Sequence, residues 1–210
     1  MNPLESEVQT EPYDLPDAGL LEAGRPYAFL VWQPARAWII IGRGNKAADS
    51  VHVDLARADG VPVAQRPSGG EAVILTPRTL VVSAVRNTPS QHPSRHYFQS
   101  YNGAVITALA GLGVPGLAMK GISDIALGDR KIAGSSIYRN RERVFFHAVL
   151  NVAEDPALME RYLRPPRRQP DYRLGRSHAE FVTSLAAAGY PLPMPALQAA
   201  ISDALAAILP

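Results

Sequence analysis

The sequence predicts an α+β fold, with helices packed against a mixed, mostly antiparallel sheet. Three observations carry this. Short apolar runs bounded by turn residues fill the first two thirds of the chain, as buried strands do. Asn140-Arg141-Glu142-Arg143 separates two such runs and reads as a hairpin turn, which makes their pairing antiparallel. Helical periodicity is confined to one central segment and to the last third.

In chain order, residues 1–25 are polar and proline-bearing and read as an extended arm with a short helical turn over 18–23. From Tyr27 the pattern changes, and residues 26–210 read as a single domain. Ala28-Phe29-Leu30-Val31-Trp32 and Trp38-Ile39-Ile40-Ile41-Gly42 are apolar runs of strand length. Residues 61–64, 72–75 and 80–85 continue the series, with Pro62 suited to a strand start. Tyr97, Tyr101, Val105, Ala108, Leu109 and Leu112 recur at spacings of three and four and give a helix one apolar face. Ser94 would cap it and Gly113 would stop it. Strands are expected again at 124–127, 131–138 and 144–152. Helices follow at 156–163, 177–188 and 195–209, with Pro165, Pro166 and Pro170 stiffening the linker between the first two.

Composition narrows the function classes. Apolar residues make up 47% of the 210 and charged residues 19%, which suits a soluble domain with a sizeable core. The formal net charge is only +2, so no nucleic-acid partner is expected, and the run Arg164 to Arg168 reads as a solvated loop. There are no cysteines, which excludes disulfides, thiolate metal sites and cysteine nucleophiles. No apolar run approaches the ~18 residues of a membrane span. Glu5, Glu7 and Glu11 are incompatible with a signal peptide, so a cytoplasmic protein with no membrane partner is expected.

Four constellations could carry chemistry. Gly128-Asp129-Arg130-Lys131-Ile132-Ala133-Gly134-Ser135-Ser136 places a lysine at the start of an apolar strand, close to a glycine that lets polar atoms approach. Arg66-Pro67-Ser68-Gly69-Gly70-Glu71 places adjacent glycines between two strands, where backbone N–H groups could hold an anion and Arg66 could pair with it. Asp124 lies within an apolar run and needs a partner. His147 shares a strand face with Phe145 and Val149. Each has a plain structural alternative: an exposed lysine, a glycine-requiring hairpin turn, a capping aspartate and a satisfied core histidine. His92, His96 and His178 have no metal-like spacing to His147, so no metal site is expected. The chain has no phosphate-binding G-x-x-x-x-G-K-[ST] loop, no G-x-G-x-x-G after a strand and no G-x-S-x-G elbow.

The order of these motifs, from Ile41-Gly42-Arg43-Gly44-Asn45 through the glycine loop, Ser123-Asp124-Ile125 and the lysine loop to His147, resembles the lipoate-protein ligase A family of the biotin/lipoate ligase superfamily. The resemblance covers roughly residues 27–165. It implies a catalytic core like that of class II synthetases, and activation of lipoate or octanoate with Mg2+ and ATP as an acyl-adenylate. The acyl group would then pass to a lysine of a lipoyl-carrier domain. It further implies that Lys131 binds the acyl carbonyl and α-phosphate, that Arg66, Ser68, Gly69 and Gly70 line the channel, that Asp124 sits by the adenylate or its magnesium, and that Gly134, Ser135 and His147 close the pocket wall. A separate accessory ligase domain is a further partner it allows.

The chain departs from the family pattern at several positions. Gln65 replaces an arginine, Glu71 a glycine, Leu75 a histidine, Ser123 an asparagine and Ala148 a glycine. Glu71 would bring a carboxylate to where phosphate passes. Two alternatives to a ligase are an ATP-independent lipoyl or octanoyl transferase and a non-catalytic binder of an acyl ligand. The missing cysteine weighs against the transferase, whose relatives use one as nucleophile.

Overall fold

In the computed structural model, the structure describes residues 10–208 apart from Ala23, Thr88, Ser90 and Gln91. The expectations placed on residues 1–9, on Ala23 and on Leu209 lie outside that set. Nine strands are described: β1 (Tyr27–Trp32), β2 (Trp38–Ile41), β3 (Val63–Gln65), β4 (Val73–Leu75), β5 (Thr79–Arg86), β6 (Leu117–Lys120), β7 (Asp124–Leu127), β8 (Arg130–Arg139) and β9 (Val144–Asn151). They form two sheets. The larger has the order β1-β5-β9-β8-β7-β6 and every pairing in it is antiparallel. The smaller has the order β3-β2-β4, with β2 parallel to β3 and antiparallel to β4, and supplies the mixed character of the fold.

Side-chain alternation sorts the core into layers. On β9, Phe146, Ala148 and Leu150 face the helices α3 (Ser94–Gly111) and, later in the chain, the C-terminal helix over Met194–Ala207, packing against Leu109, Ile201 and Leu205. The opposite face of the large sheet meets the small sheet, where Val81 packs with Ile40, Leu75, Trp32 and the arm residue Leu15. Ile39 and Ile41, one step either side of Ile40, point away into a third cluster with Val51, Val63 and Tyr162. That cluster is covered by the short helices α1 (Ala47–Ser50) and α2 (Val53–Ala58) and by α4 (Pro156–Tyr162). A three-isoleucine strand buried on both faces is the expected signature of a central strand. Each such side chain contributes roughly 1.5–3 kcal/mol when fully buried.

The structure departs from the sequence-based expectation in a few places. The helix expected at 177–188 is only one turn, α5 (His178–Phe181), opened by a capping box between Ser177 and Glu180. Beyond it the chain extends along the sheet edge, because Thr183 N–H donates to the Lys131 carbonyl, Leu185 N–H to Asn151 and Ala186 N–H to Val152. Sheet carbonyls have outcompeted the helix for these donors, aided by the β-branched pair Val182-Thr183. The last helix, α6 (Met194–Ala207), starts behind Pro193. In α3 the residue at the cap position is Pro93 rather than Ser94, and no side chain caps the first turn. Gly113 stops it with φ +88°. The edge strand β6 and the helices α1 and α2 were not expected. They are too short to show a period, and β6 is only partly buried.

Because β2 and β3 are parallel, their C-terminal ends leave the small sheet side by side. The turn after β2 therefore braces the loop after β3: Arg43 N–H donates to the Ser68 carbonyl at 2.9 Å and the Asn45 side-chain amide to the Gly70 carbonyl at 3.0 Å. Gly42 allows this approach, since a Cβ there would collide with the Gly70 carbonyl oxygen. Gly42→Ala should destabilise the protein by about 1–3 kcal/mol, the usual cost of overpacking. A urea midpoint equal to that of the parent chain would show that the loop can move aside.

Candidate active site

A β-bulge places the central side chains. Along the β7–β8 ladder Asp124 pairs with Gly134 and Ile125 with Ala133, but Ala126 pairs with Lys131. Ile132 is the extra residue. Without it, Lys131 and Gly134 would lie on opposite faces, since their separation of three is odd. The shift brings both onto the face that carries Asp124, while Ile132 and Ala133 both go into the core beneath the helices. Lys131 Nζ then lies 2.7 Å from Asp124 Oδ1. The lysine passes directly over Gly134, where a Cβ would come within 2.7 Å of Nζ and 2.8 Å of Cε.

Asp124 is buried and its other oxygen accepts from the Tyr172 hydroxyl at 2.9 Å. Tyr172 sits on the proline-rich strap that follows α4, and Gly121 with φ +60° lets the β6–β7 turn pass close beneath Pro170 and Tyr172. Burial and the adjacent Asp124 carboxylate raise the Tyr172 phenol far above its ordinary value, so it remains a donor.

Facing this lysine is the loop from Arg66 to Glu71. Arg66 is buried and its guanidinium is spent on the loop itself. Nε donates to the Ser68 hydroxyl, Nη2 to the carbonyls of Gly69 and Glu71 at 2.8 Å each, and Nη1 to the Ile40 carbonyl at 3.2 Å. Burial lowers its pKa to about 10, still charged at neutral pH, and no described ion pair balances it. Gly70, with φ +92°, leaves room for Nη2. The Ser68 hydroxyl bonds His147 Nε2 and lies 2.9 Å from the Ser136 hydroxyl, tying the loop to β9 and β8. His147 is fully enclosed. Burial first, and the Arg66 charge second, hold its pKa well below 6.5, so the ring is neutral.

Two cavities adjoin here, of about 510 Å3 and about 140 Å3. Arg66, Gly70, Asp124, Ser135 and His147 line the larger, and Lys131 and Gly134 line both. Ser68 and Gly69 stand behind the wall as its braces. The Ser135 hydroxyl turns away, donating to the Ser123 carbonyl at 2.7 Å and accepting from Asn102 of α3 at 3.1 Å. The run Arg164 to Arg168, expected as a solvated loop, lines the smaller cavity, and Arg168 lines both. Glu71 also borders both, with a carboxylate oxygen accepting from the Arg168 backbone N–H at 3.3 Å.

Sequence reasoning missed Tyr172, Ser136, Arg168 and Tyr13, which also lines the larger cavity. Alternation along β8 could have found Ser136, two residues beyond Gly134. Tyr13 and Tyr172 come from segments without periodicity. Among the described residues no cluster of three or more His, Asp or Glu could hold a metal. Both Asp124 oxygens are engaged, so the described residues offer magnesium no cage of their own. An ion brought in by nucleotide phosphates would find the carboxylates of Asp49 and Glu71 at the smaller cavity and those of Glu71, Asp124 and Asp171 at the larger. No described helix is long and apolar enough to cross a membrane.

The family model of the lipoyl protein ligase A/B catalytic domain matches residues 18–206, and the chain belongs to that family. It is 33% identical to lipoate-protein ligase LplJ of Bacillus subtilis over 122 residues, 58% of this chain and 35% of that one. The matched stretches cover 35–59% of the curated relatives considered, so the chain spans only part of their length. Among solved structures, the bi-partite lipoate protein ligase of Thermoplasma acidophilum, described with its E2 lipoyl domain, superposes with a TM-score of 0.76 at 21% identity, covering 88% of this chain and 71% of that one. A lipoate-protein ligase A bound with ATP superposes with a TM-score of 0.73 at 23% identity, covering 88% and 73%. Both share the α+β fold described above.

Two outcomes are expected. Gly134→Ala should displace the lysine head and weaken its contact with Asp124, seen as a moved Asp124 side-chain carboxyl carbon resonance by NMR, with little change in overall secondary structure. Second, the neutral burial of His147, with its folded pKa below the unfolded 6.5, makes the unfolded chain take up the proton first, so stability is lost as pH falls below about 6.5. His178, pushed down to about 4 mainly by burial, acts in the same direction. Urea midpoints should fall between about pH 7 and pH 5 and flatten in His147→Gln or His178→Gln. A slope unchanged in both variants would assign the pH dependence elsewhere.

Proposed function

We propose that the chain is a lipoate-protein ligase that activates lipoate or octanoate with ATP and transfers the acyl group to a lysine of a lipoyl-carrier domain. The observation that carries this is the position of Lys131 at the junction of two cavities, both of which it lines. The larger has an apolar side for an acyl chain. The smaller is rimmed by Arg164, Arg167 and Arg168, charges suited to a nucleotide's phosphates. Family membership and the ATP-bound structural neighbour support the same assignment.

In the first step an acyl carboxylate oxygen attacks the α-phosphorus, a P–O bond to pyrophosphate breaks, and a mixed anhydride with AMP remains. In the second, the acceptor lysine, as free amine, attacks the acyl carbon, the amide forms and AMP leaves. Both steps gather negative charge on oxygens beside the same centre. Lys131, held by Asp124 and seated over Gly134, is placed to stabilise that charge in each, and its orientation is fixed before the reaction begins. Asp124 keeps the ammonium aimed. Arg66 shapes the loop and adds a fixed positive potential, while neutral His147 braces Ser68. The absence of cysteine leaves no thioester route.

The decisive test mixes the purified chain with lipoate, Mg-ATP and an apo lipoyl domain and weighs the acceptor by intact mass spectrometry. An ATP-dependent gain of one lipoyl group is expected. No gain, with preformed lipoyl-adenylate also failing, would overturn ligase activity by this chain alone. Lys131→Ala should lower acyl transfer by at least about 10²-fold, the size of a lost transition-state donor, while circular dichroism stays unchanged. Glu71→Gly should tighten ATP binding in calorimetry if the carboxylate repels phosphate. Equal affinity would place its negative charge out of reach of the nucleotide.

A further inference from the structure

Tyr13 brings an aromatic ring to the larger cavity from the N-terminal segment, outside both sheets. The apolar side of that cavity is made by Ile40, Leu75, Val81 and Val149, all members of the cluster between the two sheets, and Tyr13 joins them from the N-terminal segment. Its position is fixed by a buried chain of hydrogen bonds. The Tyr13 hydroxyl donates to both oxygens of Asp17, at 3.0 and 3.2 Å. Asp17 is fully buried and also accepts from the Ser83 hydroxyl of β5 at 2.6 Å. The segment is pinned further by Glu11 N–H donating to the Val63 carbonyl at 2.8 Å and by the buried Leu15. Because its hydroxyl is consumed by Asp17, Tyr13 offers the cavity its ring. Moving the ring aside would strip a buried carboxylate of a donor, which is costly.

We infer that the Tyr13 ring, locked by Asp17 and Ser83, is the end stop that sets the length of acyl chain the cavity accepts. This rests on the reading of the cavity as an acyl site. A linear acyl chain with its carboxylate at Lys131 runs along the inter-sheet apolar wall, and its far end meets a side chain that cannot rotate away. Medium-chain acids fit. Longer ones are refused by the ring and not by loss of contact elsewhere. Removing the ring should therefore admit further methylenes, each worth roughly a four-fold gain when buried.

The test measures binding of octanoate, decanoate and dodecanoate to the full chain by calorimetry without nucleotide, in parallel with acyl-adenylate formation. The parent chain is expected to prefer octanoate. Tyr13→Ala, and Tyr13→Leu in case the alanine variant folds poorly, should gain at least tenfold for dodecanoate relative to octanoate. Tyr13→Phe keeps the ring and should keep the parent's order of preference. An unchanged order in both the alanine and leucine variants would overturn the inference and leave the acyl site standing. A shift in Tyr13→Phe as large as in Tyr13→Ala would remove the ring as the gauge. If the parent chain binds none of the three acids, the acyl site and the inference fall together.

Discussion

The geometry of the site depends on the bulge at Ile132. A strand reads alternately to its two faces, and β8 must serve a helix-covered core on one side and a polar cavity on the other. One inserted residue resolves this. It sends Ile132 and Ala133 into the core in succession and returns Lys131 to the cavity face beside Asp124. The same step turns Gly134 from an indifferent strand residue into a necessary one, because the lysine head occupies the space of its missing side chain. The ion pair and the open face of the glycine both follow from one change of register.

The opposing wall is built differently, by backbone saturation. Arg66 donates to three carbonyls and a hydroxyl, so the glycine loop is gathered around a single guanidinium. Ser68 then fastens the gathered loop to His147 and Ser136 in the large sheet. Two sheets that share an apolar interface are thus also locked in polar register across the cavity, and this keeps the arginine loop opposite the lysine strand.

Much of this was legible in the sequence, for identifiable reasons. Apart from β6, the strands from Tyr27 to Asn151 announced themselves because each is short, apolar and bounded by turn residues, and the long helix α3 showed its period plainly. Lys131, Asp124 and Gly134 stood out because a lysine, an acid and a glycine are conspicuous in apolar strands. What the sequence did not reveal was direction. Nothing in Arg-Lys-Ile-Ala-Gly-Ser announces a bulge, so the shared face of Lys131 and Gly134 could not be read from alternation. Arg66 looked like an anion ligand and instead holds the loop, because donor allegiance depends on which carbonyls tertiary packing brings near. Leu185 and Ala186 are good helix formers, yet the carbonyls of Asn151 and Val152 claim their N–H groups. Tyr13 and Tyr172 act from irregular segments, where no period exists to read.

The guanidinium of Arg66 carries a consequence for how the protein meets its ligand. It is a buried cation whose hydrogen-bond donors are met by neutral carbonyls and a hydroxyl; none of the described ion pairs includes it, and the Glu71 carboxylate acts on it only through space. Hydrogen bonding is thereby settled while electroneutrality is not. An anion placed in the cavity that Arg66 lines would feel this charge at short range. The cation that gathers the loop thus also sets the electrical character of the cavity the loop borders.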